Sequence, residues 1–123
     1  MKLDKLDLIV EDVPTATAFF RDVVGLTARF AEERYAEFDA GPVTLMLSPE
    51  AMVPTRPASG VIVHLHVEDV GQAVERARQH GATVLLEPTH TDWGWESAMI
   101  EGPEEIVVDF YRPLEGTQPD AQG

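Results

Sequence analysis

The chain of 123 residues contains no cysteine. That excludes disulfides and thiolate metal sites, and it fits a cytoplasmic protein. Basic residues are scarce: Lys and Arg total 9 against 22 Asp and Glu, a formal net charge of −13. A nucleic-acid partner needs Lys and Arg opposite its phosphates, so that class is a poor fit. An acidic surface keeps a protein soluble, and it also attracts and steers a cationic ligand. No run approaches the ~18 apolar residues of a membrane span. No basic-then-apolar stretch opens the chain as a signal peptide would. A cytoplasmic location is therefore expected. Phosphate loops, Gly-x-Ser-x-Gly turns and other nucleophile motifs are absent, which argues against nucleotide chemistry and nucleophilic hydrolysis.

What the chain does have is a repeat. Leu6-Asp7-Leu8-Ile9-Val10-Glu11-Asp12-Val13 is echoed by Val63-His64-Leu65-His66-Val67-Glu68-Asp69-Val70, and Glu11 and Glu68 fix the offset at 57 residues. Both stretches alternate with period two and then open into an amphipathic helix. Residues 3–10 predict a strand with Leu6, Leu8 and Val10 on one face and Lys5, Asp7 and Ile9 on the other. Asp12 is a good N-cap and Pro14 suits a first helical turn. Ala16, Phe19, Phe20 and Val23 then form an apolar stripe that Gly25 ends. Strands are predicted at 27–33, 35–40 and 43–48.

The second half repeats this order. A strand spans 61–67, and Asp69 caps a helix with the stripe Val70, Ala73, Val74 and Ala77, ended by Gly81. Strands follow at 82–87, 96–101 and 105–111, the last two joined by a turn at Gly102-Pro103-Glu104-Glu105. The expected class is α+β. Two tandem βαβββ modules occupy 1–50 and 61–113, with a Pro-rich linker at 51–60 and a flexible polar tail at 114–123. Each helix covers one face of its sheet, which leaves the other face to enclose something.

The segments Glu11-Asp12-Val13, Ala18-Phe19-Phe20-Arg21-Asp22-Val23-Val24-Gly25-Leu26, Glu68-Asp69-Val70, Gly81-Ala82, Trp93-Gly94-Trp95 and Gly102-Pro103-Glu104 running to Val107-Val108-Asp109-Phe110-Tyr111 carry a resemblance across residues 3–113. The chain resembles the vicinal oxygen chelate superfamily of glyoxalase I, extradiol dioxygenases, fosfomycin-resistance enzymes and bleomycin-resistance proteins. The resemblance implies curved sheets around a cavity, and a homodimer with sites at its interface. For metal-dependent members it also implies ligands on the first and last strands of each half. Counting back seven residues from Asp12 and Asp69 puts those first-strand positions at Lys5 and Ile62. The last strands offer Leu45 or Met46, and Asp109. Of these only Asp109 binds a divalent cation, and Lys5 would repel one. The implied metal site is therefore read as lost, with Lys5 either paired to Asp109 or turned to solvent.

Alternation places Ile62, His64 and His66 on the cavity face with Asp109 and Tyr111. The corresponding face of the first half carries Lys5 and Asp7. Two histidines at i, i+2 share a face. They wall a ligand pocket or, with Asp109, make a displaced metal site, Asp7 being a further donor to such a site. Trp93 and Trp95 flank Gly94 in a loop, where they would clamp a planar or cationic molecule or plug the cavity mouth. Met99 is a soft wall beside them. Phe19 and Phe20 read as core, His80 as a helix-terminal cation, and His90 as a loop residue near the tryptophans.

The expected function is metal-free binding and sequestration of a small hydrophobic or aromatic, possibly cationic, molecule, as in the bleomycin-resistance branch. Two enzymatic alternatives stand beside it. One is a metal-dependent lyase, isomerase or dioxygenase using a divalent metal in a rearranged site. The other is a metal-free biosynthetic enzyme with His64 or His66 as base. No membrane or nucleic-acid partner is expected.

Overall fold

A computed structural model describes residues 1–56 and 60–115. The chain divides into two compact units, Met1–Ser59 and Gly60–Gly123. In the first, β1 (Lys5–Ile9) leads into α1 (Val13–Ala18), a π-helical turn (Phe19–Val24), β2 (Thr27–Glu32), β3 (Tyr35–Ala40) and β4 (Val43–Ser48). In the second, β5 (Ile62–His66) leads into α2 (Val70–Gln79), β6 (Val84–His90), β7 (Trp95–Glu101), a 3-10 turn (Pro103–Glu105) and β8 (Val107–Pro113).

Each unit holds one open four-stranded sheet, in the orders β1-β4-β3-β2 and β5-β8-β7-β6. β1 runs parallel to β4 and β5 parallel to β8, while the remaining pairs are antiparallel. The expected βαβββ repeat is the observed architecture.

The twin aspartates start the helices as the repeat predicts. Asp12 accepts hydrogen bonds from the Thr15 backbone N–H at 3.0 Å and its hydroxyl at 2.7 Å. Asp69 accepts from the Gln72 N–H at 2.9 Å. These bonds satisfy amide donors that a helix start leaves without partners. The Thr15 bonds, side chain first, hold the Asp12 carboxyl below its usual range.

One local departure is the end of the first helix. The N–H of Gly25 reaches back five residues to the Phe20 carbonyl at 3.1 Å, so the last turn is π rather than α. Widening the turn keeps Phe20 fully buried and leaves Phe19 and Val23 half-buried. Gly25 ends the segment at φ 93°, a left-handed value that suits glycine.

Each helix buries the stripe its sequence shows. Val13, Ala16 and Phe20 pack on Ala36, Phe38, Leu45 and Leu47 in the first unit. Val70, Val74 and Ala77 pack on Ala98, Ile100, Val108 and Phe110 in the second. Burying side chains of this size stabilises a fold by about 1.5–3 kcal/mol each. Among the described residues no helix is long and apolar enough to cross a membrane. Of the expected tail at 114–123, residues 116–123 lie outside the described residues, as do 57–59 of the expected linker.

Candidate functional site

With α2 covering one side of the second sheet, register decides what the other side displays. His64 lies opposite Asp109 and His66 opposite Tyr111 across β5 and β8. Tyr111 lies opposite Ser97, and Asp109 opposite Met99, across β8 and β7. Partners directly opposite one another share a face. Ile62, His64, His66, Met99, Asp109 and Tyr111 therefore stand on the side away from α2, as the alternation predicts.

Trp95 joins this face through a short hairpin. It is the first residue of β7 rather than a loop residue, and His90 is the last residue of β6 rather than part of the loop. The Thr91 hydroxyl accepts from the Trp95 N–H at 2.9 Å, and the Thr91 N–H donates to the Trp95 carbonyl at 2.7 Å. Gly94, at φ 87°, supplies the left-handed residue of the turn. Its carbonyl accepts from the Leu114 N–H at 2.8 Å, tying the hairpin to the end of β8. Nothing in the sequence signals this role for Thr91, whose partner is the backbone four residues on.

The rings form a continuous series. Trp95 stacks on Tyr111 with centroids 4.1 Å apart and planes at 24°. Tyr111 stacks in turn on His66 at 5.3 Å and 24°. Trp93 meets Trp95 edge-on at 6.5 Å. His64 stands edge-on to Trp95 at 6.2 Å and to Tyr111 at 6.3 Å. The two tryptophans differ in exposure: Trp95 is 5% exposed and Trp93 42%. They are thus a buried wall and an exposed rim, where the sequence left a clamp and a plug of the cavity mouth as alternatives. Ile62 on β5 and Leu86 on β6, the two edge strands of this sheet, are exposed as well.

Polar chemistry lies at the base of this series. The Asp109 side chain is 1% exposed, and its Oδ2 accepts from His64 Nδ1 at 2.6 Å. Lys5, for which the sequence left pairing with Asp109 or a solvent-facing position open, lies exposed on β1. Three buried side-chain polar atoms have no hydrogen-bond partner among the described residues: Thr17 Oγ1, Trp95 Nε1 and Asp109 Oδ1. Two of the three belong to this one face. Orphaned buried groups cost free energy, and their concentration at one place calls for a functional explanation.

The open face of the first unit is different. Asp7 accepts from the Ser48 hydroxyl at 2.8 Å, and Arg29 donates to the Thr44 hydroxyl. Burial, aided by the carboxylates of Glu37 and Asp7, raises the Tyr35 phenol above its usual value. The first unit also has a hollow of about 390 Å³ with Glu11, Asp12, Glu33 and Arg34 in its lining. That hollow is open and surrounds no ring series or orphaned buried atom, so the aromatic face of the second unit is the stronger candidate.

The positions that the resemblance assigns to a metal do not fit one. Register makes Met46 the first-unit counterpart of Asp109, since Asp7 lies opposite Met46 as His64 lies opposite Asp109. The set is then Lys5, Met46, Ile62 and Asp109, with a single hard donor. The alternative set of His64, His66 and Asp109 does not assemble either. His64 is held by Asp109, and His66 is stacked on Tyr111. Among the described residues no three His, Asp or Glu side chains gather as a metal-binding group.

Comparison with known proteins agrees with the architecture. One relative, the uncharacterized protein YraH of Bacillus subtilis (strain 168), is 25% identical over 128 residues, covering 93% of this chain and all of that protein. A solved structure described as a conserved domain protein is 41% identical, with a TM-score of 0.85 over 92% of this chain and 99% of its own. TnmS3 from Streptomyces sp. CB03234, described as an antibiotic binding protein, shares the fold at 22% identity, with a TM-score of 0.76 over 92% of this chain and 96% of its own. The family model that matches here spans residues 2–110, and by that match the chain belongs to the Glyoxalase/Bleomycin resistance protein/Dioxygenase superfamily.

Proposed function

We propose that this protein binds and sequesters a small planar aromatic molecule, with no metal and no turnover. The observation that carries this reading is the series Trp95–Tyr111–His66, with two orphaned buried polar atoms on the same face. The exposed rings at the ends of the series, His66 and Trp93, offer flat surfaces at little entropic cost, and stacking on an aromatic partner contributes about 0.5–1.5 kcal/mol beyond area burial. Trp93 closes over such a ligand from the rim. The likeness in fold to an antibiotic binding protein supports an antibiotic-like natural product as the kind of molecule held. Sequestration needs affinity and geometry only, and no metal-binding set of residues is required for it. We further propose a homodimer, in which a second copy covers the exposed Ile62, Leu85 and Leu86.

The chain's two tryptophans, Trp93 and Trp95, both lie at this face, so intrinsic fluorescence reports on it directly. Titration with a panel of planar aromatic compounds should give saturable quenching, and chromatography should return the bound compound unchanged. Quenching that never saturates across the panel, or conversion of the compound to product, would refute the reading. Sedimentation at micromolar concentration tests the dimer.

A further inference from the structure

We infer that the open face of the first unit holds a second binding site, for the carboxylate of a small organic acid, formed by Arg29, Thr44 and Lys5. It concerns the first unit alone and stands apart from the binding reading above.

Arg29 reaches this face through a break in the strand ladder. Ala28 lies opposite Phe38 and Phe30 opposite Glu37, so Arg29 is the extra residue of a β-bulge between β2 and β3. A bulge re-aims the side chain it carries. The Arg29 guanidinium donates through Nη2 to the Thr44 hydroxyl on β4, two strands away. From the opposite edge of the sheet, register sets Lys5 of β1 directly beside Thr44. Residues paired in this way share a face about 5 Å apart. Cations from the two edge strands thus flank one hydroxyl.

Neither cation is neutralised. The chain has 22 Asp and Glu, and in the same unit Arg21 pairs with Asp22 at 2.9 Å and Arg34 with Glu50 at 2.7 Å. Among the described residues no carboxylate stands within ion-pair distance of Lys5 or Arg29. The carboxylates on this face have neutral partners instead. Asp7 accepts from the Ser48 hydroxyl at 2.8 Å, and Asp39 from the Gly41 N–H at 3.1 Å. Glu37 lies beside the Tyr35 phenol, whose pKa burial and then this carboxylate raise. Donors are left over. A guanidinium has five N–H donors, and a hydroxyl that accepts still has its own O–H to give. Arg29, Thr44 and Lys5 therefore offer donors from three strands to one place. A carboxylate is acceptor-only, and its two oxygens match the guanidinium fork. Phe30, next to Arg29, is 42% exposed and 5.7 Å from the Tyr35 ring, which gives the apolar body of such an acid a place to rest. Six of the nine Lys and Arg belong to the first unit, so an anion meets less repulsion there than at the second.

The test compares cyclohexanecarboxylate with cyclohexanecarboxamide, its neutral isostere. Their saturated rings do not stack on the aromatic residues of the second unit. Each is titrated into nitrogen-15-labelled protein in phosphate-free buffer at neutral pH, and NMR shifts give both the affinity and the place of binding. The carboxylate should bind at least about tenfold more tightly than the carboxamide. The largest shifts should fall on the backbone amides of Lys5, Arg29 and Thr44 and on the Arg29 Nε–H. R29Q should abolish the preference, and K5Q should cut carboxylate affinity about threefold or more. R34Q removes the same charge from an arginine already paired with Glu50, and should stay within about twofold of wild type. The dispersed spectrum of each variant reports that it folds, and the wild-type comparison stands even if one does not. Equal affinities for acid and amide in wild-type protein overturn the assignment. So do shifts confined to the second unit, or R29Q and R34Q proteins that bind the acid alike. None of these results bears on the aromatic site of the second unit.

Discussion

Trp95→Phe separates what the indole ring does from what its N–H does. Trp95 is 5% exposed, stacked on Tyr111 at 4.1 Å, and its Nε1 has no hydrogen-bond partner among the described residues. Replacing indole by phenyl removes roughly two to three ring carbons' worth of burial, about 2 kcal/mol at ~0.8 kcal/mol each. It also removes a buried donor whose lack of a partner costs about 1–3 kcal/mol. The opposing effects cancel, so W95F should change stability by less than about 1 kcal/mol. Trp95→Ala removes the stack and leaves a cavity, and should cost about 3–5 kcal/mol. Urea unfolding followed by far-ultraviolet circular dichroism measures both, since the signal does not depend on the tryptophans. W95F should still bind planar ligands, because the phenyl ring continues the stack. A W95F loss above about 2.5 kcal/mol would show that the indole N–H is satisfied in the free protein, since full transfer cost without relief would then remain. That result would remove one of the two orphaned atoms on which the site assignment rests.

Further outcomes follow from the same structure. Phe110→Ala, on the α2 side of β8 and 2% exposed, should destabilise the fold by about 3–5 kcal/mol in the same urea experiment, far more than any change at the exposed rim. The folded-state pKa of Asp12 lies below its unfolded value, so its contribution to stability is present above the unfolded pKa and lost as pH falls through the folded one. Asp12→Asn should preserve the cap and flatten that acid dependence, and Asp12→Ala should lower the melting temperature at neutral pH as well; thermal melts between pH 2 and pH 7 follow both. Purified protein should hold far less than one equivalent of Fe, Mn, Ni or Zn by elemental analysis, and a chelator should leave aromatic-ligand affinity unchanged. A stoichiometric metal would favour the metalloenzyme alternative.

The scaffold was legible because repeat, period and caps agree. Asp12 and Asp69 fall at the same point of each copy, each ahead of an apolar stripe, and each accepts from an N–H three residues on. The alternation of residues 61–67 assigns His64 and His66 to the face away from α2, and the register with β8 bears it out. What could not be read was set by tertiary structure. The sequence treats Trp93-Gly94-Trp95 as one exposed loop. The hydroxyl of Thr91 pins the second tryptophan at the start of β7 and buries it under its neighbours. The π turn after α1 has no local signal, because its bonds end in the same Gly25 that would stop an α-helix.

Register also answers a question that the repeat raises. Strand lengths and loops differ between halves, so the 57-residue offset that aligns β1 with β5 does not align β4 with β8: Met46 corresponds to Asp109 although they are 63 residues apart. With that correspondence in hand, His64–Asp109 in the second unit is the structural twin of Asp7–Met46 in the first. One pair is an imidazole held by a buried carboxylate. The other is a carboxylate beside a thioether, and its hydrogen bond goes to Ser48 instead. Likewise Tyr111, opposite His66, corresponds to Ser48, opposite Ile9, so the ring series has no counterpart in the first unit. Duplication supplies two equivalent open sheet faces, but only the second carries stacked rings, a His–carboxylate pair and orphaned buried polar atoms together. The asymmetry of the two faces follows from which residues stand at equivalent positions of a shared scaffold.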